Sequence, residues 1–245
     1  MVKNNLNAIV ITPTIGKKDL QDAMNSVRRQ TYPNILHLIV VDGEQYEESV
    51  STIAKNVLGC NYKILTLPWN TGANKWNGHR IFAAFGFLIN EDYVLFLDDD
   101  NWFEEDHVSS LINCIEENQL DWAYSMRKIF SESKEFICLD NCESIGKWPP
   151  FSGMPNLVDT SCYCLKKKVL IDTGFAWMEQ YTGDRNFYNQ TKERYPNFRT
   201  TALYTLNYKI HDKTPPGKEF FLQGNDYMVK KYNNKLPWLP QGQTH

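Results

Sequence analysis

Tyr93-Val94-Leu95-Phe96-Leu97-Asp98-Asp99-Asp100-Asn101 is the stretch that decides the fold. Its apolar run is short and unbroken and ends abruptly in three carboxylates. That is the pattern of a buried parallel strand emerging at its C-terminal edge. Three adjacent like charges repel, and each raises the pKa of its neighbours unless a cation neutralises them. A hard divalent metal, which prefers oxygen ligands, is the simplest relief. The triplet alone fits a solvated acidic turn equally well, so the rest of the chain has to decide.

Upstream, Ala8-Ile9-Val10-Ile11 reads as a buried strand that ends in the loop Thr12-Pro13-Thr14-Ile15-Gly16. Leu20, Ala23, Met24 and Val27 have helical spacing, and Pro33 stops that helix. A second strand over 36–41 ends at Asp42-Gly43. A second helix carries Val50, Ile53, Ala54, Val57 and Leu58 on one face, and 62–67 is a third strand. After Asn70-Thr71-Gly72, a third helix over 78–89 packs through Ile81, Phe82, Phe85 and Leu88. Strand and helix thus alternate four times before the triplet. The fold class is α/β, with a mostly parallel, Rossmann-like central sheet flanked by helices and right-handed crossovers. Such sheets bind ligands at the C-terminal ends of their strands. Thr12-Pro13-Thr14, Asp42 and Asp98 to Asp100 all fall there, which favours a site over a wet turn.

Downstream, Asp106 is placed as the cap of a helix bearing Val108, Leu111, Ile112 and Ile115. Residues 121–126 and 135–139 read as antiparallel strands, and 147–155 as a long aromatic and proline-rich loop of the functional kind. A strand over 160–165, a short helix over 169–173 closing at Gly174, a helix over 184–194 and a last strand over 200–210 follow. Beyond His211 the chain is polar and proline-interrupted, and 236–245 is expected to be a loosely held tail.

At 245 residues, with 42% hydrophobic and 13% aromatic side chains, the chain has ample material for one large core. A net charge of −3 and the lack of a basic stripe give no case for a nucleic-acid partner. No segment approaches the roughly 20 apolar residues of a membrane span, and the N-terminus lacks a secretory h-region. The six cysteines do not have zinc spacing and are read as reduced thiols of a cytoplasmic protein.

Taken in order, Ile11-Thr12-Pro13-Thr14, Ser26-Val27-Arg28-Arg29-Gln30-Thr31-Tyr32-Pro33-Asn34, Val40-Val41-Asp42-Gly43, Asn70-Thr71-Gly72 and Leu97-Asp98-Asp99-Asp100 resemble the family 2 glycosyltransferases of the GT-A fold. The match covers residues 8–110 well and 160–212 more loosely. The resemblance implies one domain over 1–245. Its nucleotide-sugar half is about 1–101, its smaller mixed or antiparallel acceptor half about 102–212, and its C-terminal extension about 213–245.

The resemblance also implies a nucleotide-sugar donor, usually a UDP-sugar, whose diphosphate is bridged by Mn²⁺ or Mg²⁺. Thr12, Pro13 and Thr14 would line the nucleotide pocket, Asp42 would contact base or ribose, and Asn70, Gly72 and Asp99 belong to the same site. Asp98 and Asp100 form the DxD pair, with Asp100 the direct metal ligand and His211 completing the metal site. The family's arginine after Asn-x-Gly maps onto Arg80, with Lys75 as substitute. Its general base maps onto Asp184, with Glu179 as fallback; a plain helix cap is the rival reading of Asp184. Trp148, Phe151, Trp177 and Tyr181 are candidates for an aromatic acceptor platform.

The implied reaction is transfer of a hexosyl or N-acetylhexosaminyl group, with inversion, to a hydroxyl of a carbohydrate, glycolipid or protein. It would take place in the cytoplasm, with peripheral contact to the inner face of a membrane left open. Two other classes stay in play: a nucleotidyltransferase acting on sugar phosphates, and a non-catalytic cation- or sugar-binding module.

Overall fold

In a computed structural model that describes residues 7–57, 59, 61–143, 157–212 and 215–239, the first half alternates as its apolar periodicity requires. The elements are β1 (Ala8–Thr14), α1 (Leu20–Arg28), β2 (Ile35–Val41), α2 (Glu47–Lys55), β3 (Tyr62–Thr66), α3 (His79–Phe85) and β4 (Tyr93–Phe96). β1 runs parallel to β2 and β4, and β2 parallel to β3. β1 and β4 are buried along nearly their whole length, as expected of central strands covered on both faces.

The second half supplies β5 (Trp102–Phe103), α4 (His107–Asn118), β6 (Trp122–Phe130), β7 (Phe136–Leu139), β8 (Tyr163–Lys166), α5 (Lys167–Thr173), α6 (Gly183–Arg194), β9 (Phe198–Lys209) and α7 (Lys218–Lys231). One sheet runs through both halves in the order β3-β2-β1-β4-β8-β6-β9-β5, with β7 paired to β6. β8 is antiparallel to β4 and to β6, whereas β9 is parallel to β6. Hence β1, β2, β3, β4, β6 and β9 all point the same way, and β8 begins at the edge where they end. That reversal delivers the residues before β8 to the strand end that carries the Asp triplet. Asn101 brings in the far strand: its side-chain oxygen accepts the Lys209 amide at 3.0 Å, so the end of β9 lies beside the triplet.

Several expectations change. β6 continues to Phe130 through Arg127, a buried cation whose charge hid the strand. Residues 160–162 form a 3-10 turn, with β8 starting only at Tyr163. Asp106 occupies the N-cap of α4 but makes no side-chain cap bond. The region read as polar and proline-interrupted holds the 14-residue α7, which buries Phe221 and Met228. Leu236 and Trp238 are buried too, so the described part of the tail is docked. The 147–155 loop lies outside the described residues.

The main core joins both halves, and a smaller cluster of Leu20, Met24, Ile39, Val41, Val50, Ala54 and Val57 fills the space under α1 and α2. Beneath the strand ends, Phe82, Phe96, Trp177 and Phe187 form an aromatic stack. No helix among the described residues is long and apolar enough to cross a membrane.

Two fully buried histidines set a pH limit. Desolvation pushes the His37 and His107 imidazoles down to about 3, the latter despite its contact with Thr205. In the unfolded chain each would titrate near its ordinary 6.5, so between about 6.5 and 3 the unfolded state binds protons that the folded state refuses. Stability therefore falls as pH drops through this window, by up to about 1.4 kcal/mol per pH unit for each histidine. Denaturant melts from pH 7 to 5 should show this slope, and His107→Gln should reduce it whatever it does to absolute stability. An unchanged slope in that variant would contradict the assignment.

Candidate active site

A cleft of about 460 Å³ opens along the edge where the parallel strands end. Among the expected residues its wall includes Pro13, Thr14, Asp42, Asn70, Gly72, Asp98, Asp99, Asp100 and Asp184. Side chains from both halves of the chain therefore face one space, although Asp184 is 84 residues beyond the triplet's last member.

The three carboxylates have different surroundings. The Asp98 amide donates to Ser161 Oγ at 3.0 Å, just ahead of β8. Burial, and then the nearby Asp159, Asp100 and Asp99, push the Asp98 carboxyl well above the usual carboxylate range. Asp99 accepts the Thr14 hydroxyl at 2.7 Å and pairs with Lys17 Nζ at 3.1 Å. Burial raises its pKa, with Lys17 and Thr14 opposing. Asp100 Oδ2 meets Lys17 Nζ at 2.9 Å and His211 Nε2 at 3.1 Å. There the burial penalty is outweighed by Lys17 and His211, which hold the Asp100 carboxyl below its ordinary value. Asp99, the member hardest to assign from sequence, thus has defined partners. Lys17 was not anticipated at all, and the cleft's positive charge rests on it.

Asp42 lines the cleft and also holds a neighbouring turn. Its Oδ1 accepts the Thr71 amide and hydroxyl at 2.7 and 2.8 Å, and its Oδ2 accepts the Gly72 amide at 2.7 Å. The carboxylate therefore clamps the 70–72 turn onto the end of β2. The loop then winds through left-handed φ values at Asn74, Lys75 and Asn77 (57°, 68° and 51°) and places Asn77 in the cleft. Asparagine tolerates that conformation better than most residues.

Other expected residues stand elsewhere. Thr12 turns its hydroxyl into the core, 2.9 Å from His37 Nε2, and is not part of the cleft wall. Arg80 lies 4.0 Å over the Trp76 ring and donates to the Thr71 carbonyl, while Lys75 reaches toward the Tyr181 ring; neither lines the cleft. Trp177 is 0% exposed within the aromatic stack and has no face to offer a sugar. Tyr181 is 70% exposed and off the cleft wall. Glu179 is exposed, and its contribution is its carbonyl, which accepts His79 Nδ1–H at 2.8 Å. Trp148 and Phe151 lie outside the described residues.

Asp184 sits in the first turn of α6, with Thr182 at the N-cap position and making no side-chain cap bond. Its Oδ1 accepts the Arg185 amide at 2.7 Å. Gly183 precedes it for a steric reason: a Cβ there would lie 2.6 Å from His79 Nδ1. His79, Asp159, Thr160 and Tyr208 also line the cleft. Behind Asp159, the buried Arg127 pairs with Asp140 at 2.7 Å, with Glu143 at 3.4 Å and with Asp159 at shorter range. Arg185 in turn meets Glu143 at 2.7 Å.

For a divalent metal the donor set is partial. Among the described residues no three His, Cys, Asp or Glu side chains are grouped to hold an ion. Asp100 and His211 do converge, and a carboxylate with an imidazole is chemistry that Mn²⁺ accepts when a ligand supplies further oxygens.

A family model described as Glycosyl transferase family 2 matches residues 9–154. The chain is 30% identical to Glycosyltransferase GlyA of Streptococcus pneumoniae over 135 residues, 51% of this chain and 17% of that protein. Among solved structures, S. aureus TarS superposes with a TM-score of 0.60 at 16% identity, covering 84% of this chain and 37% of that one. TarS 1–349 in complex with UDP-GlcNAc gives 0.62 at 15% identity, covering 85% of this chain and 60% of that one. The chain thus spans about a sixth of its curated relative and between a third and two-thirds of the TarS chains. The shared α/β arrangement is the GT-A fold.

Gly72 offers a direct test of the clamp. A Cβ at this position would fall 2.3 Å from the Asn77 carbonyl oxygen and 2.7 Å from Asp42 Oδ2. Backbone on one side leaves little room to yield, so Gly72→Ala should cost about 1–3 kcal/mol in a denaturant melt. Wild-type stability in that variant would show that the turn is not held as described.

Proposed function

The chain belongs to glycosyl transferase family 2, and from that premise we propose that it transfers a sugar from a nucleotide-sugar, with a UDP-sugar as donor, to an acceptor hydroxyl. One observation carries this reading. A single cleft holds the Asp42-clamped turn, the cation-paired strand-end carboxylates and, from the other half of the chain, Asp184. The UDP-GlcNAc and UDP complexes of the structurally similar TarS support a uridine nucleotide as the donor's carrier.

In this reading Pro13, Thr14, Asn70 and Gly72 shape the nucleotide's berth, and Lys17 offers positive charge to the diphosphate. Asp100 and His211 would hold Mn²⁺ or Mg²⁺, with Asp98 reaching it through water. Bound there, the metal would neutralise charge that builds on the leaving diphosphate. Asp184 accepts the proton of the acceptor hydroxyl as its oxygen attacks the anomeric carbon. The new C–O bond forms as the bond to the diphosphate oxygen breaks, and attack from the face opposite the leaving group inverts the centre. The acceptor is a hydroxyl-bearing carbohydrate, free or carried on a lipid or protein.

Asp184→Asn keeps size and shape while removing the base. Transfer from a UDP-sugar should fall by about 10²–10⁴-fold, while UDP affinity by calorimetry stays close to wild type. Retained turnover would rule out Asp184 as the base, and absence of UDP binding in both proteins would rule out the donor.

A further inference from the structure

Lys17 stands where two chemistries meet. Its ammonium lies 3.1 Å from Asp99 Oδ1 and 2.9 Å from Asp100 Oδ2. The same Asp100 oxygen faces His211 Nε2 at 3.1 Å, so the convergent pair that suits a divalent ion already has a cation on it. The partners differ in freedom. The Asp99 and Asp100 side chains are 7% and 15% exposed, whereas that of Lys17 is 45% exposed. Asp99 is further fixed by Thr14. Lysine is a compact charge on a flexible four-carbon stem, so Lys17 is the member that can leave.

An ammonium and a divalent ion on the same carboxylate would lie only a few ångströms apart, and like charges this close repel even under protein screening, so each weakens the other's hold on Asp100. We propose that Lys17 is a resident counter-cation that competes with the divalent metal for Asp100 and yields it when a nucleotide diphosphate enters the cleft. The competition rests on the geometry alone, and the release step rests on the nucleotide-sugar reading above. A diphosphate carries enough negative charge to take the ammonium from the two carboxylates, and lysine serves as a point-charge phosphate binder. The released Asp100 and His211 then become available together. Metal thus enters with the donor, not ahead of it.

The test is calorimetry with MnCl₂ alone on the full chain, comparing wild type with Lys17→Met and Lys17→Arg. Lys17→Met should bind Mn²⁺ about tenfold or more tighter than wild type, while Lys17→Arg stays near wild type because the positive charge remains. Lys17→Gln carries the same expectation if the methionine variant does not fold by circular dichroism. Adding UDP should raise Mn²⁺ affinity more in wild type than in Lys17→Met. Equal or weaker Mn²⁺ binding after removal of the charge, including no binding by either protein, would overturn the proposal. UDP calorimetry without metal reports separately on the donor reading, so the two can fail independently.

Discussion

Three carboxylates crowd the end of β4 in a wall that water only partly reaches, and much of the surrounding structure answers that charge. An unpaired buried charge costs several kcal/mol, so the strand end is tolerable only with partners. Three separate segments supply them: Thr14 and Lys17 at and just after the end of β1, Ser161 ahead of β8, whose hydroxyl reaches Asp98 Oδ2 at 3.4 Å, and His211 beyond β9. The same carboxylates that threaten the fold thereby draw distant parts of the chain to one point. Even so, burial and then the nearby Asp159, Asp100 and Asp99 keep the Asp98 carboxyl well above the usual carboxylate range.

The sheet topology makes this convergence possible. Six strands end on one edge, and the reversed β8 starts there, so a turn N-terminal to a strand reaches the same place as the C-terminal ends of its neighbours. Behind the cleft, Arg127 gathers Asp140, Glu143 and Asp159. Removing one partner from a buried cluster of this kind costs about 3–5 kcal/mol. It therefore holds the Asp159 wall firmly against the triplet. Rigidity behind the wall and one movable lysine in front of it suit a site that must admit a charged ligand without collapsing.

Much of this was legible in the sequence, because apolar runs and helical spacing report burial directly. The alternation through β4, the grouping of Asp42 with the triplet, and the position of Asp184 followed from strand ends and from a motif order read together. What escaped was decided by long-range contacts. Arg127 looked like the end of a strand, yet its charge is buried because three carboxylates from other segments come to meet it. α7 was missed because Pro215 and Pro216 were read as interruptions, whereas both lie ahead of the helix, outside its Gly217 N-cap. Trp177 resembled a sugar platform because an aromatic residue in a loop carries no sign of which way it faces. Lys17 had a signal that went unused: a cation three residues after a strand-end threonine in a sheet whose neighbouring strand ends in acid.

The central claim is that this acidic strand end is a cation-balanced seat for a nucleotide diphosphate. A crystal structure of the protein with UDP and Mn²⁺ addresses it most directly. The account predicts uridine beside Pro13 and the 70–72 turn, the diphosphate at the strand end, and Mn²⁺ on Asp100 with Lys17 no longer bridging Asp99 and Asp100. A nucleotide bound away from this cleft, or seated in it with Mn²⁺ present and the Lys17 bridge intact, would contradict it.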